Sequence, residues 1–158
     1  MKNLNVSGLD EQKSKKVVKE LSLLLANLHV YYMNLRGLHW NVKGQGFFQL
    51  HKAYEDMYNG TAEKIDEVAE RILQLDGTPE NRFSELLKTA TIKEDGFNPA
   101  GLDGVDIVLN ALKSLIAQER TVLAAANEAE DEVTIAMMDD FLVGQEKTVW
   151  MLNAFLTK

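Results

Sequence analysis

The sequence of 158 residues contains no cysteine. Disulfides, zinc–thiolate sites, iron–sulfur clusters and cysteine nucleophiles are therefore excluded, and any metal must be held by histidine, carboxylate or water ligands. No uncharged run reaches the roughly 18 residues that a membrane-spanning helix requires, and the first residues lack the apolar stretch of a signal peptide. We therefore expect a cytoplasmic protein that does not associate with membranes.

Basic residues are also in short supply, with 17 Lys and Arg against 24 Asp and Glu, which gives a net charge of −7. Nucleic-acid-binding proteins usually carry a clustered basic excess, so this balance favours cations as partners. The apolar fraction of 46% is enough to build one hydrophobic core. We predict a single domain over residues 1–158, with residues 1–9 as a flexible N-terminal tail.

Apolar residues recur at helical spacing in four long segments. They predict helices over about 10–36, 47–75, 102–127 and 133–156, with Gly37 at the C-terminal cap of the first. Sustained period-two alternation is absent, so the predicted fold class is all-α. Methionines and aromatic residues at helical spacing, among them Met33, Trp150 and Met151, are expected in the core.

Both prolines and four of the ten glycines lie within residues 76–104, which we predict to be one long crossover between the second and third helices. Residues 82–90 could form a short extra helix inside it. Two helix pairs joined by a long crossover are the connectivity of a ferritin-like four-helix bundle, although the pattern alone is also compatible with other four-helix folds.

Candidate metal ligands lie on the second predicted helix, where His51 and Glu55 form one i, i+4 pair and Asp66 and Glu70 form another. Either pair alone is also compatible with an ordinary charged helix surface. Together the four residues occupy only about 100° of the helix circumference. His51 and Asp66 are, however, about 22 Å apart along the axis, so one helix cannot bring both to one metal.

A two-fold dimer resolves this separation, because facing residues of two antiparallel symmetry copies have numbers with a constant sum. That sum is 121 both for His51 with Glu70 and for Glu55 with Asp66. One register therefore predicts two identical metal sites per dimer, about 22 Å apart.

The dyad of this register falls beside Gly60 and Thr61, with Ala62 next, and small residues there would let the helices approach closely. The sequence has no Glu-x-x-His motif, two of which would build a di-iron site within one subunit. A subunit interface is the consistent place for a metal site.

Four segments in order resemble the Dps family, the DNA-binding proteins from starved cells or miniferritins. They are LHWNVKG at 38–44, the FF-x-LH-x3-E motif at 47–55, IDEVAER at 65–71 and EKT-x-WML at 146–152. The resemblance covers nearly the whole chain. It implies a hollow dodecamer of four-helix subunits with ferroxidase sites at two-fold interfaces.

The resemblance also assigns site residues. One subunit would supply His39, His51 and Glu55, and its mate would supply Asp66 and Glu70, for two iron ions per site with Zn or Mn as surrogate ions. Trp40 would lie beside the site and donate an electron that quenches a reactive intermediate. Many members have Asp where this chain has Glu55.

The function that this resemblance implies is iron storage and detoxification. Fe(II) would be oxidised with hydrogen peroxide in preference to O₂, and ferric mineral would grow in the dodecamer cavity, which protects against oxidative stress. Asp131 and Asp140 would line three-fold pores that admit iron, although Ala136 stands where many relatives place an acidic residue. The acidic turn around Asp131 is otherwise most simply a solvated loop.

Two other functions compete with this one. DNA compaction, with ferroxidase activity secondary, typically uses a Lys-rich flexible terminus, whereas here only Lys2 lies in the first ten residues. Twelve chains at −7 each would carry −84, which disfavours binding to a polyanion, so we expect DNA binding to be weak. The third hypothesis is a helical oligomer with no chemistry, its carboxylates merely on the surface.

Overall fold

The computed structural model describes residues 2–98 and 101–157, and all regular structure in this part of the chain is helical. The helices are α1 (Asn3–Ser7), α2 (Glu11–Asn41), α3 (Phe47–Gln74), α4 (Phe83–Thr89), α5 (Gly101–Ala129) and α6 (Glu132–Leu156). The long helix α2 packs against α3 and α5, and α5 packs against α6. The all-α prediction and the predicted four-helix connectivity with a short extra helix are confirmed.

The C-terminus of α2 differs from the prediction, because the helix continues through Gly37 to Asn41. A glycine that caps a helix takes a positive φ, and here that conformation belongs to Gly44 and Gly46 in the turn before α3. The Val42 N–H donates to the Leu38 carbonyl and closes α2. The extension matters because it places His39 on a helix next to the turn.

The N-terminal segment, predicted to be a flexible tail over residues 1–9, contains a short helix. Residues Asn3–Ser7 form α1, and Leu4 is buried in the main core. The backbone N–H groups of Asn3 and Leu4 donate to the two carboxylate oxygens of Asp76, at 3.0 and 3.1 Å. A carboxylate at a helix N-terminus satisfies donors that the helix itself leaves unpaired, so this segment is docked at the end of α3.

The crossover is fixed to the bundle by α4 and by Asn27. Leu86 and Ala90 of the α4 region pack in a small cluster with Ala26 and Val30 of α2. The buried Asn27 side chain accepts hydrogen bonds from the Thr91 and Ile92 N–H groups at 2.8 and 3.0 Å. The long connection is therefore held against α2 on the outside of the bundle.

Three apolar residues that were expected in the core lie at the surface instead, since Met33, Trp150 and Met151 are each more than half exposed. Helical spacing places a residue on a stripe but does not say whether another helix of the same chain covers that stripe. These three side chains therefore lie on parts of α2 and α6 that no other helix of this chain covers, within the described residues.

Among the described residues, no helix has the length and apolar character needed to cross a membrane.

Candidate metal centre

The predicted metal site begins at the turn between α2 and α3, where His39 and His51 meet. The last turn of α2 carries His39, and the second turn of α3 carries His51. Their rings stack with centroids 3.9 Å apart and planes 20° apart. Phe47 also stacks on His51, at 5.1 Å, and Tyr58 meets His39 edge-on at 5.4 Å. Both imidazoles are thus held in fixed orientations by aromatic neighbours.

The hydrogen bonds of the two histidines are reciprocal. His39 Nδ1 lies 2.8 Å from the His51 carbonyl oxygen, and His51 Nδ1 lies 2.9 Å from the His39 carbonyl oxygen. A carbonyl oxygen can only accept, so each Nδ1 carries the hydrogen and donates it. In the neutral ring this leaves each Nε2 with a free lone pair. Metal-binding histidines in proteins are oriented by the same kind of contact.

The carboxylates of the predicted site lie on the same side of α3 as His51. Glu55 is half-buried one turn after His51, whereas Asp66 and Glu70 are exposed near the other end of the helix. None of the three forms an ion pair within the described residues. Because α3 is one uninterrupted helix from Phe47 to Gln74, Asp66 stays about 22 Å from His51 along the axis.

One chain therefore assembles only part of the predicted ligand set. In the part of the chain that the structure describes, no group of three or more histidine, aspartate or glutamate side chains converges on a point that could hold a metal ion. The structure brings His39 and His51 together, with Glu55 one turn away, and leaves Asp66 and Glu70 apart from them.

Trp40 is 56% exposed, so its indole ring lies at the surface beside His39 in the sequence. The guanidinium carbon of Arg36 is 4.9 Å from the centre of this ring, and within 6 Å of the rings of Tyr32 and Tyr58. Arg36 also donates to the Tyr32 hydroxyl at 3.1 Å. Sequence reasoning missed this cationic and aromatic cluster, although the i, i+4 spacing of Tyr32, Arg36 and Trp40 was a signal for it.

The small residues expected at the dyad need a correction. Gly60 and Thr61 line a groove on the side of α3 away from His51, and Thr61 is buried within the subunit. Their position along the helix axis puts Gly60 and Thr61 level with the dyad. An α-helix rotates by 100° per residue, however, and this rotation places both residues on a side of α3 that faces away from the dyad. Asn59 and Ala62, whose numbers also add up to 121, are exposed on the His51 side. These two residues would flank the dyad.

The structure also gives Asp131 a role other than the predicted pore. Its side chain is 1% exposed, caps α6 and pairs with Arg71 at 2.6 Å. Burial alone would raise the pKa of Asp131, but its bonds to Arg71 and Thr134 hold the pKa below its usual range. A carboxylate that is fully engaged inside the subunit does not support the prediction that it lines a channel. Asp140 is exposed on α6, and its pore role stays a prediction.

The comparisons with known proteins agree with this architecture. The family model for a ferritin-like domain matches residues 18–158. A DNA protection during starvation protein of Porphyromonas gingivalis is 55% identical over 157 residues, which cover 99% of each chain. The chain belongs to the Dps family of ferritin-like proteins.

Solved Dps structures resemble the whole subunit. The Dps protein of Vibrio cholerae O1, described as a member of a broad superfamily of ferritin-like diiron-carboxylate proteins, superposes with a TM-score of 0.92 at 45% identity and covers 94% of both chains. A Dps protein of Bacillus brevis gives a TM-score of 0.89 at 36% identity, covering 92% of this chain and 98% of that one. The Dps family resemblance stated from four sequence segments is confirmed over the complete fold.

Proposed function

We propose that this protein stores and detoxifies iron in the cytoplasm by oxidising Fe(II) at sites shared between two subunits. The reciprocal His39 and His51 hydrogen bonds carry this proposal, because they orient both rings and leave two Nε2 lone pairs free, with Glu55 one helical turn after His51. Imidazole and carboxylate ligands suit Fe(II), with Zn and Mn as surrogate ions. Asp66 and Glu70 of the partner subunit would complete the ligand set for two iron ions.

The exposed ends of α3 support the same two-fold register. Phe48 is 83% exposed and Leu73 is 52% exposed, and both lie on the side of α3 that carries His51. The numbers 48 and 73 also add up to 121. In the register that pairs His51 with Glu70, Phe48 of one subunit would therefore face Leu73 of the partner subunit. Two large apolar side chains that are unpartnered in one subunit would thereby be buried.

The chemistry that this site would perform is a two-electron oxidation. Two bound Fe(II) ions would each give up one electron, and the two electrons would cleave the O–O bond of hydrogen peroxide to give two hydroxide ions, which take up protons and become water. We propose hydrogen peroxide as the preferred oxidant over O₂. The ferric ions then hydrolyse, release protons and grow as oxyhydroxide inside a dodecameric shell. Iron and peroxide are consumed together, which prevents the formation of hydroxyl radicals and relieves oxidative stress.

Trp40, exposed beside His39, would supply an electron when a stray oxidising intermediate forms.

The test is anaerobic Fe(II) titration followed by peroxide, with the double variant His51→Ala and Glu55→Ala. We expect this variant to lose high-affinity Fe(II) binding and the fast oxidation phase. The matched control is His29→Ala with Glu67→Ala, which removes the same residue types outside the proposed site. Oxidation at the wild-type rate in the first variant would contradict the proposal, and no oxidation in the wild type would favour a helical oligomer without chemistry.

DNA compaction remains the alternative function, and the name of the Porphyromonas gingivalis relative refers to DNA protection. The docked N-terminus argues against it here. Lys2 and Lys15 both pair with Glu11, and Lys16 pairs with Glu128. These exposed ion pairs reduce the net positive charge that the N-terminal stretch offers a polyanion.

A further inference from the structure

A buried polar pair joins α5 to α6. Glu119 of α5 is completely buried, and Gln145 of α6 is 7% exposed. The Gln145 Nε2 donates to Glu119 Oε1 at 2.5 Å. The other two oxygens of the pair, Glu119 Oε2 and Gln145 Oε1, are buried and have no hydrogen-bond partner within the described residues. If Glu119 were ionised, both oxygens would be acceptors without a donor, which is costly in a protein interior.

The groups around Glu119 offer an ionised carboxylate little compensation. The Lys64 ammonium of α3 lies 4.8 Å from the ring centre of Phe141 and makes no salt bridge to Glu119 in the part of the chain that the structure describes. Tyr31 of α2 is neutral, because burial and the nearby Glu119 raise the pKa of its hydroxyl. From α6, Gln145 contributes an uncharged amide. Burial raises the pKa of Glu119 to about 7, although the Gln145 bond and Lys64 act to lower it.

A groove with a volume of about 460 Å³ lies between α3 and α6 on one side of this pair. Gln145 is among the residues that line the groove, whereas Glu119 is not. The charged lining residues are Asp56 and Lys64, and Asp56 already pairs with Lys52 at the surface. The free oxygens of the pair are closed off from this groove, so neither solvent nor a ligand in it supplies their missing donor.

We propose that Glu119 is protonated at and below neutral pH and donates its Oε2 hydrogen to Gln145 Oε1, so that two complementary hydrogen bonds join α5 to α6. One proton satisfies both oxygens, because it converts Oε2 from an acceptor into a donor. When the proton leaves at higher pH, the buried carboxylate keeps a single donor and the contact weakens. The pair is thus a pH-sensitive contact inside the bundle. It is independent of the iron proposal, since neither residue belongs to the proposed metal ligand set.

Infrared titration of the assembled protein tests the protonation directly. The carbonyl stretch of a protonated carboxyl group is separate from the bands of carboxylates, and glutamates with an ordinary pKa of about 4.3 are ionised at pH 6. We expect a band in the wild type that falls about tenfold between pH 6 and pH 8 and that Glu119→Gln removes. No such band in the wild type at pH 6, or a band that Glu119→Gln leaves unchanged, would overturn the proposal. If the variant does not fold, the wild-type titration alone decides.

The pH dependence of stability supplies a second test. Between the ordinary glutamate pKa of about 4.3 and the folded value of about 7, the folded chain holds a proton that the unfolded chain has lost. The stability that the pair contributes is therefore complete at low pH and falls as the pH rises through this interval. Glu119→Gln keeps both hydrogen bonds through its amide and has no proton to lose.

We therefore expect the unfolding constant of the wild type, divided by that of Glu119→Gln, to rise at least about tenfold from pH 5 to pH 8. Denaturant unfolding at equal protein concentrations measures this ratio. Glu146→Gln is the matched control, since Glu146 is an exposed glutamate on α6 that pairs with Arg120, and its ratio should stay nearly constant. A ratio for Glu119→Gln that is flat over this range, or that falls, would contradict the proposal.

Discussion

Arg71 directly follows the predicted metal ligand Glu70, yet its guanidinium belongs to a separate buried network. It donates to the Thr134 hydroxyl at 2.8 Å, to Gln74 at 2.9 Å and to Asp131 at 2.6 Å. Thr134 in turn donates to Asp131 through both its N–H and its hydroxyl. This network joins the end of α3 to the start of α6, so it fixes the part of α3 from which Glu70 projects.

Replacing Arg71 therefore tests how the end of α3 is held. We expect Arg71→Met to destabilise the protein by about 3–5 kcal/mol, because it leaves the Asp131 carboxylate buried without its partner. Arg120→Met is the matched control, since the Arg120 pair with Glu146 is exposed and contributes less than about 1 kcal/mol. Denaturant unfolding at equal protein concentrations measures both changes. Equal losses for the two variants would show that the buried pair has no special role.

The sequence is enough to propose the residues of the metal site, but it does not give the orientation of their side chains. Histidine and carboxylate residues at fixed spacing are visible in the sequence. The reciprocal bonds between His39 and His51 are not, because they run to backbone carbonyls twelve residues away across a turn. The Glu119 and Gln145 pair left no local signal either, since its members lie on different helices 26 positions apart.

At the scale of elements, periodicity located each long helix but misplaced the end of α2 and missed α1. Gly37 resembled a cap, yet it lies inside α2, because the turn that needs positive φ comes later at Gly44 and Gly46. The segment that became α1 has too few residues to show a helical period. Its position depends on Asp76, more than 70 residues away in the sequence, and such a contact is a property of the folded chain.

The two-fold register of α3 makes a prediction about that helix as a unit. Phe48→Glu alone should weaken dimer formation, because a charge would enter an apolar contact, and Leu73→Lys alone should do the same. The double variant should recover much of the association, since each introduced glutamate then faces an introduced lysine of the partner subunit. Analytical ultracentrifugation over a dilution series measures this recovery.

Phe83→Glu combined with Leu73→Lys is the control for that experiment, because Phe83 is exposed on α4 rather than on α3. It should show no recovery over Leu73→Lys alone. Recovery in this control, or additive loss in the Phe48 and Leu73 double variant, would reject the register.

At the scale of the whole molecule, one chain has the complete four-helix fold but, within its described residues, brings together only part of the proposed metal ligand set. Large apolar side chains remain exposed on several elements, including Phe48 on α3, Phe83 on α4 and Trp150 on α6. Exposed apolar surface of this extent is typical of chains that associate. The distance between His51 and Asp66 on α3 also indicates association, because two ligands about 22 Å apart on one helix cannot bind the same metal ion. In this account the fold positions the ligands and the assembly completes the metal site.

Subunit complementation tests this claim most directly. One inactive variant carries His51→Ala with Glu55→Ala, and the other carries Asp66→Ala with Glu70→Ala. In a mixed dimer one site loses all four of these ligands and the other keeps all of them. Random assembly from equal amounts should therefore restore about a quarter of the wild-type rate of Fe(II) oxidation by peroxide. If co-assembled subunits are no faster than the two variants assembled separately, the site does not lie between subunits and the account is wrong.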